Sequence, residues 1–556
     1  MLLAAGIASA RARLERAGFD AELALRCVLA AAVLLLFAGL GNHDFWRPDE
    51  PRYGSIAEEL RSFVHGWRGL ILLHANGAAY TQKPPLFFWL GALFGAPFGR
   101  TTEYAARLPS ALAGFGTLLA VAWLGRSMFG RRAGVLAAAL LLTLPAWLQL
   151  ARSARLDAML AAFVVLAFVY AWRIDRGIGD ERRNRVWLHV SIGLGMLTKG
   201  PVALLLPLLG VLAYLGWERR LASWRRFVTL PSLALSVAPV AIWFGGATLL
   251  APKGFAHTGF WENLVLRFFS GVAHEEPFWF YFDRLPRGFL PWTLLLPGVW
   301  FLYREARTAP DAAERVRPWR FLLAAVAASV LFFSASAGKR GVYLLPVYPL
   351  LALLAAAPLA AWLDRDAPAP RWLQSALLAA GVALAALGIA AVFVHEVRGF
   401  PLPPAFGFMV AAGPLAALLA QPWLRARVAP RTALVAGVLV ALIGAEAAVF
   451  LGLYPALDER NSPREVAELA AASAKDAAPI GVFRSTSLSG AIAYYSRHPV
   501  KDLREAKHLE AFRAEGGSVI VVDERDVEKL RELVPVREIG HGHSRQRRLW
   551  VVAPDA

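Results

Sequence analysis

Apolar runs close to the twenty residues needed to cross a bilayer as a helix recur from about residue 22 to residue 454 of this chain, and nothing else in it limits the fold so strongly. Lipid offers backbone amides no hydrogen bonds, so only helices and closed barrels cross it. The runs are long and rich in Leu, Ala and Val rather than short and alternating, which selects helices. With 57% hydrophobic residues and a mean hydropathy of +0.47, the chain reads as a polytopic all-α membrane protein.

Spans are expected near 22–40, 105–125, 133–150, 157–173, 186–198, 201–217, 227–249, 288–303, 320–336, 341–363, 372–395, 405–422 and 432–454. The run Leu86 to Phe98 is ambiguous, and it either crosses or lies in the interface. If it does not cross, the strongly basic short loops, among them Arg131 and Arg132, Arg182 and Arg183, Arg225 and Arg226, and Arg425 and Arg427, fall on one face with Arg11, Arg13 and Arg16. The positive-inside rule then gives about thirteen spans, with the N-terminus inside and the C-terminus outside. The first run lacks a small-residue cleavage pattern and is expected to stay as an anchor.

These loops also account for much of the net charge of +18, so no nucleic-acid partner is inferred from it. The lone cysteine, Cys27, allows no intrachain disulfide. The expected division is a membrane domain over 1–456 and a small outer α/β domain over 457–556. In the latter, helices are expected at Pro463–Ala472, Gly490–Ser496 and Val527–Leu533, and strands at Ile480–Arg484, Val519–Val522 and Arg548–Val552.

Several charged strings meet on the expected outer face. W-R-P-D-E-P-R-Y supplies Asp49, Glu50, Arg52 and Tyr53, and Y-T-Q-K-P-P-L adds Tyr80 and Lys83. Ionisable groups at a membrane border are costly to desolvate and mark a site that handles charge. From Tyr53 to Trp67 apolar residues recur at helical spacing, which predicts an amphipathic helix on the membrane surface, with Asp49 or Glu50 as its cap as the plain alternative. A second loop gives Arg152, Arg155 and Asp157, for which a border salt bridge is as good a reading as function. L-T-K-G-P gives Lys199, with no acid nearby in sequence. S-A-S-A-G-K-R-G-V-Y gives Lys339, Arg340 and Tyr343. The four lysines of the membrane region, Lys83, Lys199, Lys253 and Lys339, all fall on this face of an otherwise Arg-using chain, and a compact ammonium suits a phosphate oxygen. The long loop from Pro252 holds Arg267 and a set of candidate metal ligands, His257, His274 and Glu275. A divalent metal is therefore an open cofactor, although no H-E-x-x-H pair occurs.

Carboxylates facing several Lys and Arg suit a ligand with an anionic phosphate beside a bond that ionises in the reaction. A transporter would place its charges near the bilayer midplane, and a channel would need rings of like charge.

The strings D-E-P-R-Y, Y-T-Q-K-P-P-L-F-F-W, R-L-D-A-M-L, G-M-L-T-K-G-P-V-A-L-L-L-P and F-F-S-A-S-A-G-K-R-G-V-Y-L-L-P-V-Y-P-L, in that order, resemble the GT-C glycosyltransferases related to protein O-mannosyltransferases. They are most similar to the bacterial undecaprenyl phosphate-aminoarabinose:lipid A transferases. That resemblance covers roughly Asp49 to Pro349 and the C-terminal domain. It implies transfer of 4-amino-4-deoxy-L-arabinose from undecaprenyl phosphate to lipid A phosphates at the periplasmic face of the inner membrane, with membrane lipids around a monomer. It further implies Asp49 and Asp157 as the catalytic carboxylates. Lys83, Lys199, Lys339 and Tyr343 are implied as carrier-phosphate and sugar ligands. Glu50, Arg52, Tyr53, Tyr80, Arg155, Arg267 and Arg340 complete the expected binding set. Gln82 stands where that family often has an acid, which bears on metal binding there. A polyprenyl-phosphate-sugar-dependent protein O-glycosyltransferase is the alternative reading.

Overall fold

The computed structural model describes residues 21–259, 262, 275–364, 430–475, 478–544 and 547–555, with a few isolated positions between 382 and 401. The expected spans 372–395 and 405–422, and Arg11, Arg13, Arg16, Arg425 and Arg427, lie outside these residues.

Apolar sequence becomes helix almost throughout. The helices that carry the argument are α1 (Ala21–Phe37), α2 (Glu50–Arg61), α3 (Gly66–Ile71), α4 (Leu86–Gly95), α5 (Glu103–Phe129), α6 (Arg131–Leu142), α7 (Pro145–Ala151), α8 (Asp157–Arg176), α9 (Glu181–Lys199), α10 (Val202–Trp217) and α11 (Leu230–Leu250). Among the described residues five helices are long and apolar enough to cross a membrane, and six if one bent pair counts as a single span. Helix α11 shows why lipid is the solvent: Leu230, Ile242 and Leu249 are 83%, 75% and 88% exposed, and a 21-residue apolar helix with so little cover has no stable place in water. The chain is an integral membrane protein.

Three expectations change. The run 133–150 is not one straight span but α6 and α7, bent by 72°. Pro145 opens α7 at a position that needs no amide hydrogen, and the Thr143 hydroxyl binds back to the Ala139 carbonyl at 2.9 Å and accepts the Trp292 indole at 3.2 Å, which fixes the corner. The run 288–303 is split into a short 3-10 turn, Trp292–Leu295, and a helix that extends to Thr308. The amphipathic helix after Asp49 does form, as α2, but protein covers it: Tyr53, Ile56, Ala57 and Leu60 are buried, and α4 and the C-terminal unit pack on it.

Residues 464–554 build a five-stranded mixed sheet. Its strands are β1 (Ile480–Phe483), β2 (Val500–Leu503), β3 (Val519–Asp523), β4 (Val536–Ser544) and β5 (Arg547–Pro554), in the order β2-β1-β3-β5-β4. β1 pairs in parallel with β2 and β3, whereas β5 is antiparallel to β3 and β4. Parallel strands must be covered on both faces, and the fully buried patterns of β1 and β3 reflect that. β2 and β4 were not expected from sequence. The two middle residues of V-K-D-L are charged and exposed at the sheet edge, and β4 is mostly exposed, so neither shows an apolar run.

The bundle has two chemically different ends. Helix α8 runs from Asp157 to Arg176, a rise of about 30 Å for its length. Around Arg176 gather the pairs Arg220–Asp175 at 2.8 Å, Arg226–Glu181 at 2.7 Å and Arg320–Glu218 at 2.8 Å. Around Asp157 lies a different cluster.

Candidate active site

At that end the first loop, the start of α8, the end of α9 and the 340–343 turn converge. Asp49 occupies the N-cap position of α2 but makes no side-chain cap bond, which removes capping as its role. Its two oxygens meet guanidiniums instead. Oδ1 accepts from Arg52 at 2.9 Å, and Oδ2 lies 2.9 Å from Arg155 and 3.7 Å from Arg340. Arg155 reaches the second carboxylate as well, with its Nε 3.4 Å from Asp157 Oδ2. Asp157 Oδ1 accepts from the Lys199 ammonium at 2.6 Å. The acid that sequence proximity did not give Lys199 comes from the neighbouring helix.

Local backbone chemistry sets this up. Lys199 is the last residue of α9, and Gly200 after it has φ +83°, a left-handed conformation that glycine adopts without a Cβ penalty, so the chain can turn into α10. The ammonium then stands over the Tyr343 ring, 5.2 Å from its centroid. Arg155 belongs to the short turn between α7 and α8, and its carbonyl accepts from the Ser110 hydroxyl at 2.7 Å, which ties that turn to α5.

The resulting cleft, of about 110 Å³, is lined by Asp49, Arg52, Tyr53, Gln82, Lys83, Arg155, Asp157, Lys199, Arg340 and Tyr343. It therefore holds two carboxylates and five cations, and both carboxylates are already engaged by cations. An incoming phosphate would find the cations pre-aimed, and a carboxylate released from one of them could hold a cationic or hydroxyl group of a sugar. Burial, followed by the Asp49 charge, pushes the Tyr53 phenol up to about 12, so it stays protonated and available as a donor.

Not every expected residue is here. Glu50 is a structural anchor rather than a cleft residue. It takes the fully buried Arg107 at 2.9 Å and the Ala154 amide at 2.8 Å. Although burial works to raise its pKa, Arg107 holds the Glu50 carboxyl below its ordinary value. Lys339 also leaves the expected set. It is buried and donates to the Glu276 carbonyl at 2.7 Å, so the turn is tied by the lysine while its neighbour Arg340 faces the cleft. Tyr80 is buried against Phe88, 5.8 Å between centroids, behind the cleft wall. Arg152 turns back to the end of α1, where it donates to the Leu35 and Ala38 carbonyls. Arg267 and His274 lie outside the described residues. The expected metal set does not assemble among the rest: His257 pairs with Glu262 at 3.4 Å, both largely exposed, and Glu275 bridges to Gly338. Among the described residues no three His, Cys, Asp or Glu side chains converge as a metal site.

Sequence reading missed Arg107. An arginine one turn into a helix whose other charges, Glu103 and Arg126, sit in its first and last turns was the available signal. Besides Glu50, it donates to the Leu40 and His43 carbonyls, each at 2.9 Å, and to the Asp44 carbonyl at 2.8 Å, and so ties α5 to the loop that delivers Asp49. It missed the C-terminal contacts too. Asp458 accepts from the Trp46 indole at 2.7 Å, Arg47 reaches the Ser544 hydroxyl at 3.1 Å, and Tyr495 accepts from the Phe45 amide at 2.7 Å.

Over 95% of its length the chain superposes on 97% of the crystal structure of ArnT from Cupriavidus metallidurans bound to undecaprenyl phosphate, with a TM-score of 0.73 at 23% identity. The fold is of the GT-C type. Residues 82–243, which include Lys83, Arg155, Asp157 and Lys199, match the family of dolichyl-phosphate-mannose-protein mannosyltransferases. Two curated relatives are undecaprenyl phosphate-alpha-4-amino-4-deoxy-L-arabinose arabinosyl transferases. The one from Sodalis glossinidius is 35% identical over 336 residues, 58% of this chain and 57% of the relative. The one from Aeromonas hydrophila is 32% identical over 325 residues, 57% of this chain and 56% of the relative. The match thus spans a little over half of each curated relative. In this GT-C chain the matched stretch supplies one wall of the cleft, while Asp49, Arg340 and Tyr343 lie outside residues 82–243.

Proposed function

We propose that the chain transfers 4-amino-4-deoxy-L-arabinose from undecaprenyl phosphate to phosphate groups of lipid A. The observation that carries this reading is Arg155 bridging Asp49 and Asp157 in a cleft completed by Arg52, Lys83, Lys199 and Arg340. In the transfer the C1–O bond to the carrier phosphate breaks, an acceptor phosphate oxygen forms the new bond to C1, and undecaprenyl phosphate departs. Lys199, Arg155 and Arg340 would neutralise the departing phosphate as charge builds on it. A lipid A phosphate is already anionic near neutral pH and needs no base, so Asp49, with both oxygens held by guanidiniums, is assigned to orienting the sugar amine. The names of the relatives support the donor and the sugar.

The reaction is placed at the periplasmic face of the inner membrane, with the chain acting as a monomer and its membrane domain and C-terminal unit divided near residue 456. The loop arginines argue for this orientation. Reporter fusions at Asp180 and Glu515 should read cytoplasmic and periplasmic respectively, and both reading cytoplasmic would remove the cleft from that face.

The transfer itself is tested with purified protein, undecaprenyl-phosphate-linked aminoarabinose and lipid A. Undecaprenyl phosphate should be released together with aminoarabinose-modified lipid A. Modification of a hydroxyl-bearing envelope protein instead would establish the alternative, a polyprenyl-phosphate-sugar-dependent protein O-glycosyltransferase. Masking lipid A phosphates would weaken its attraction for cationic peptides, so expression in a strain that lacks its own transferase but makes the carrier should raise polymyxin tolerance.

A further inference from the structure

A second and larger cavity lies apart from the cleft. It is a groove of about 710 Å³ on another side of α2, walled by the end of α2 and the turn to His65, by Asn76 and Gly77, by the turn from Phe98 to Thr101, and by Tyr494 and the stretch from Arg497 to Val500 of the C-terminal unit.

The groove is amphiphilic. Arg61, Arg100 and Arg497 line its polar wall, and Val64 and Phe98, 66% and 54% exposed, line its apolar rim. Trp67 and Leu93, 58% and 62% exposed, lie on the neighbouring α3 and α4. Its two carboxylates are internally satisfied. Glu58 accepts from Arg61 at 2.7 Å and from the Thr101 amide at 2.5 Å. Glu59 accepts from the Asn76 and Gly77 amides at 2.6 and 3.2 Å and lies 3.2 Å from His65. Among the described residues the Arg100 guanidinium meets the Tyr494 hydroxyl at 3.4 Å, the Tyr494 ring at 5.9 Å from its centroid and Glu103 at 4.0 Å.

Arg497 is the informative residue. It follows α12 (Thr486–Ser496) at the C-cap with φ +60°, a left-handed position that favours glycine or asparagine and is uncommon for a longer side chain. Its guanidinium is exposed toward the groove and makes no hydrogen bond or ion pair among the described residues. A cation kept at a conformationally costly position without a protein partner has a reason to be there in a ligand.

We propose that this groove binds the phosphate-bearing headgroup of an anionic membrane lipid, with the phosphate on Arg497 and Arg100 and the acyl chains leaving over Val64 and Phe98. Charge complementarity selects the anion, and the apolar rim selects a lipid over a soluble one. The site is separate from the cleft and does not depend on the transfer reaction.

The test uses the purified full-length protein in neutral detergent, with phosphatidic acid as probe and native mass spectrometry as readout. Wild type should retain one tightly bound phosphatidic acid that phosphatidylcholine does not replace. Arg497→Glu should weaken that binding by about tenfold or more, the effect of losing one charged hydrogen bond. Arg497→Gly, which relaxes the backbone while removing the cation, should weaken it as well and guards against a folding artefact. Arg504→Glu, the same charge change elsewhere on the C-terminal unit, should not. Lys83→Ala, which alters the cleft, should keep this lipid, so failure of the transfer reading leaves the result interpretable. Equal binding by Arg497→Glu and wild type, or equal retention of phosphatidylcholine, would overturn the proposal. Displacement of the lipid by an equal concentration of inorganic phosphate would overturn the lipid assignment in favour of a free-anion site.

Discussion

Asp49→Asn and Lys83→Ala each lower turnover of a lipid-linked sugar by about a hundredfold or more, the scale seen when one preorganised electrostatic contact to a transition state is removed, while the protein remains in the membrane. Asp49 is the point where Arg52, Arg155 and Arg340 meet. An amide there keeps the size, loses the charge and leaves three guanidiniums to repel one another, so the arrangement that receives the sugar is lost. Lys83 lines the same cleft and, on the proposed reading, meets the carrier phosphate. Its loss should raise KM for the carrier as well as lower kcat. Arg219→Ala, near the other end of the bundle, should change neither. Wild-type turnover by Asp49→Asn would remove it from the chemistry.

Arg107→Ala should be about 3–5 kcal/mol less stable, because it strands the buried Glu50 carboxylate without its partner. Glu50→Ala should cost a similar amount by stranding the guanidinium. The effect should be seen as a large drop in thermal midpoint followed by fluorescence-detected size exclusion, and in yield from membranes, whereas the cleft variants melt near wild type. The sign of the pH dependence follows from Glu50: its folded pKa is depressed, so this contribution is complete above the ordinary carboxylate range and is lost as pH falls through the lower folded value. If Glu50→Ala melts like wild type but fails to bind donor, Glu50 is a ligand after all.

The contrast between Glu50 and Asp49 shows how far sequence alone reached. Sequence put both adjacent acids in the site, Asp49 as a catalytic carboxylate and Glu50 as a binding residue, yet α2 begins between them, and Glu50 turns to Arg107 while Asp49 faces Arg155. Pairings of that kind are set by distances across helices, and sequence spacing does not contain them. The pair Lys339 and Arg340 split in the same way. What could be read was the helical membrane class, from run length, and the strings that bear Asp49, Lys83, Arg155, Asp157, Lys199, Arg340 and Tyr343, because ionisable residues stand out against an apolar background. Spans were over-regularised where Pro145 and the Trp292 turn break helices that hydropathy alone runs together. The role of the C-terminal unit was hidden because Asp458, Tyr495 and Ser544 contact residues more than four hundred positions away.

The most direct test of the central claim is the mass spectrum of lipid A from cells that lack their own transferase but supply the aminoarabinose carrier, with and without this chain. An aminoarabinose increment should appear on lipid A with the wild-type chain and be absent with Asp49→Asn at equal membrane abundance. Unmodified lipid A despite confirmed expression of the wild-type chain would contradict that claim.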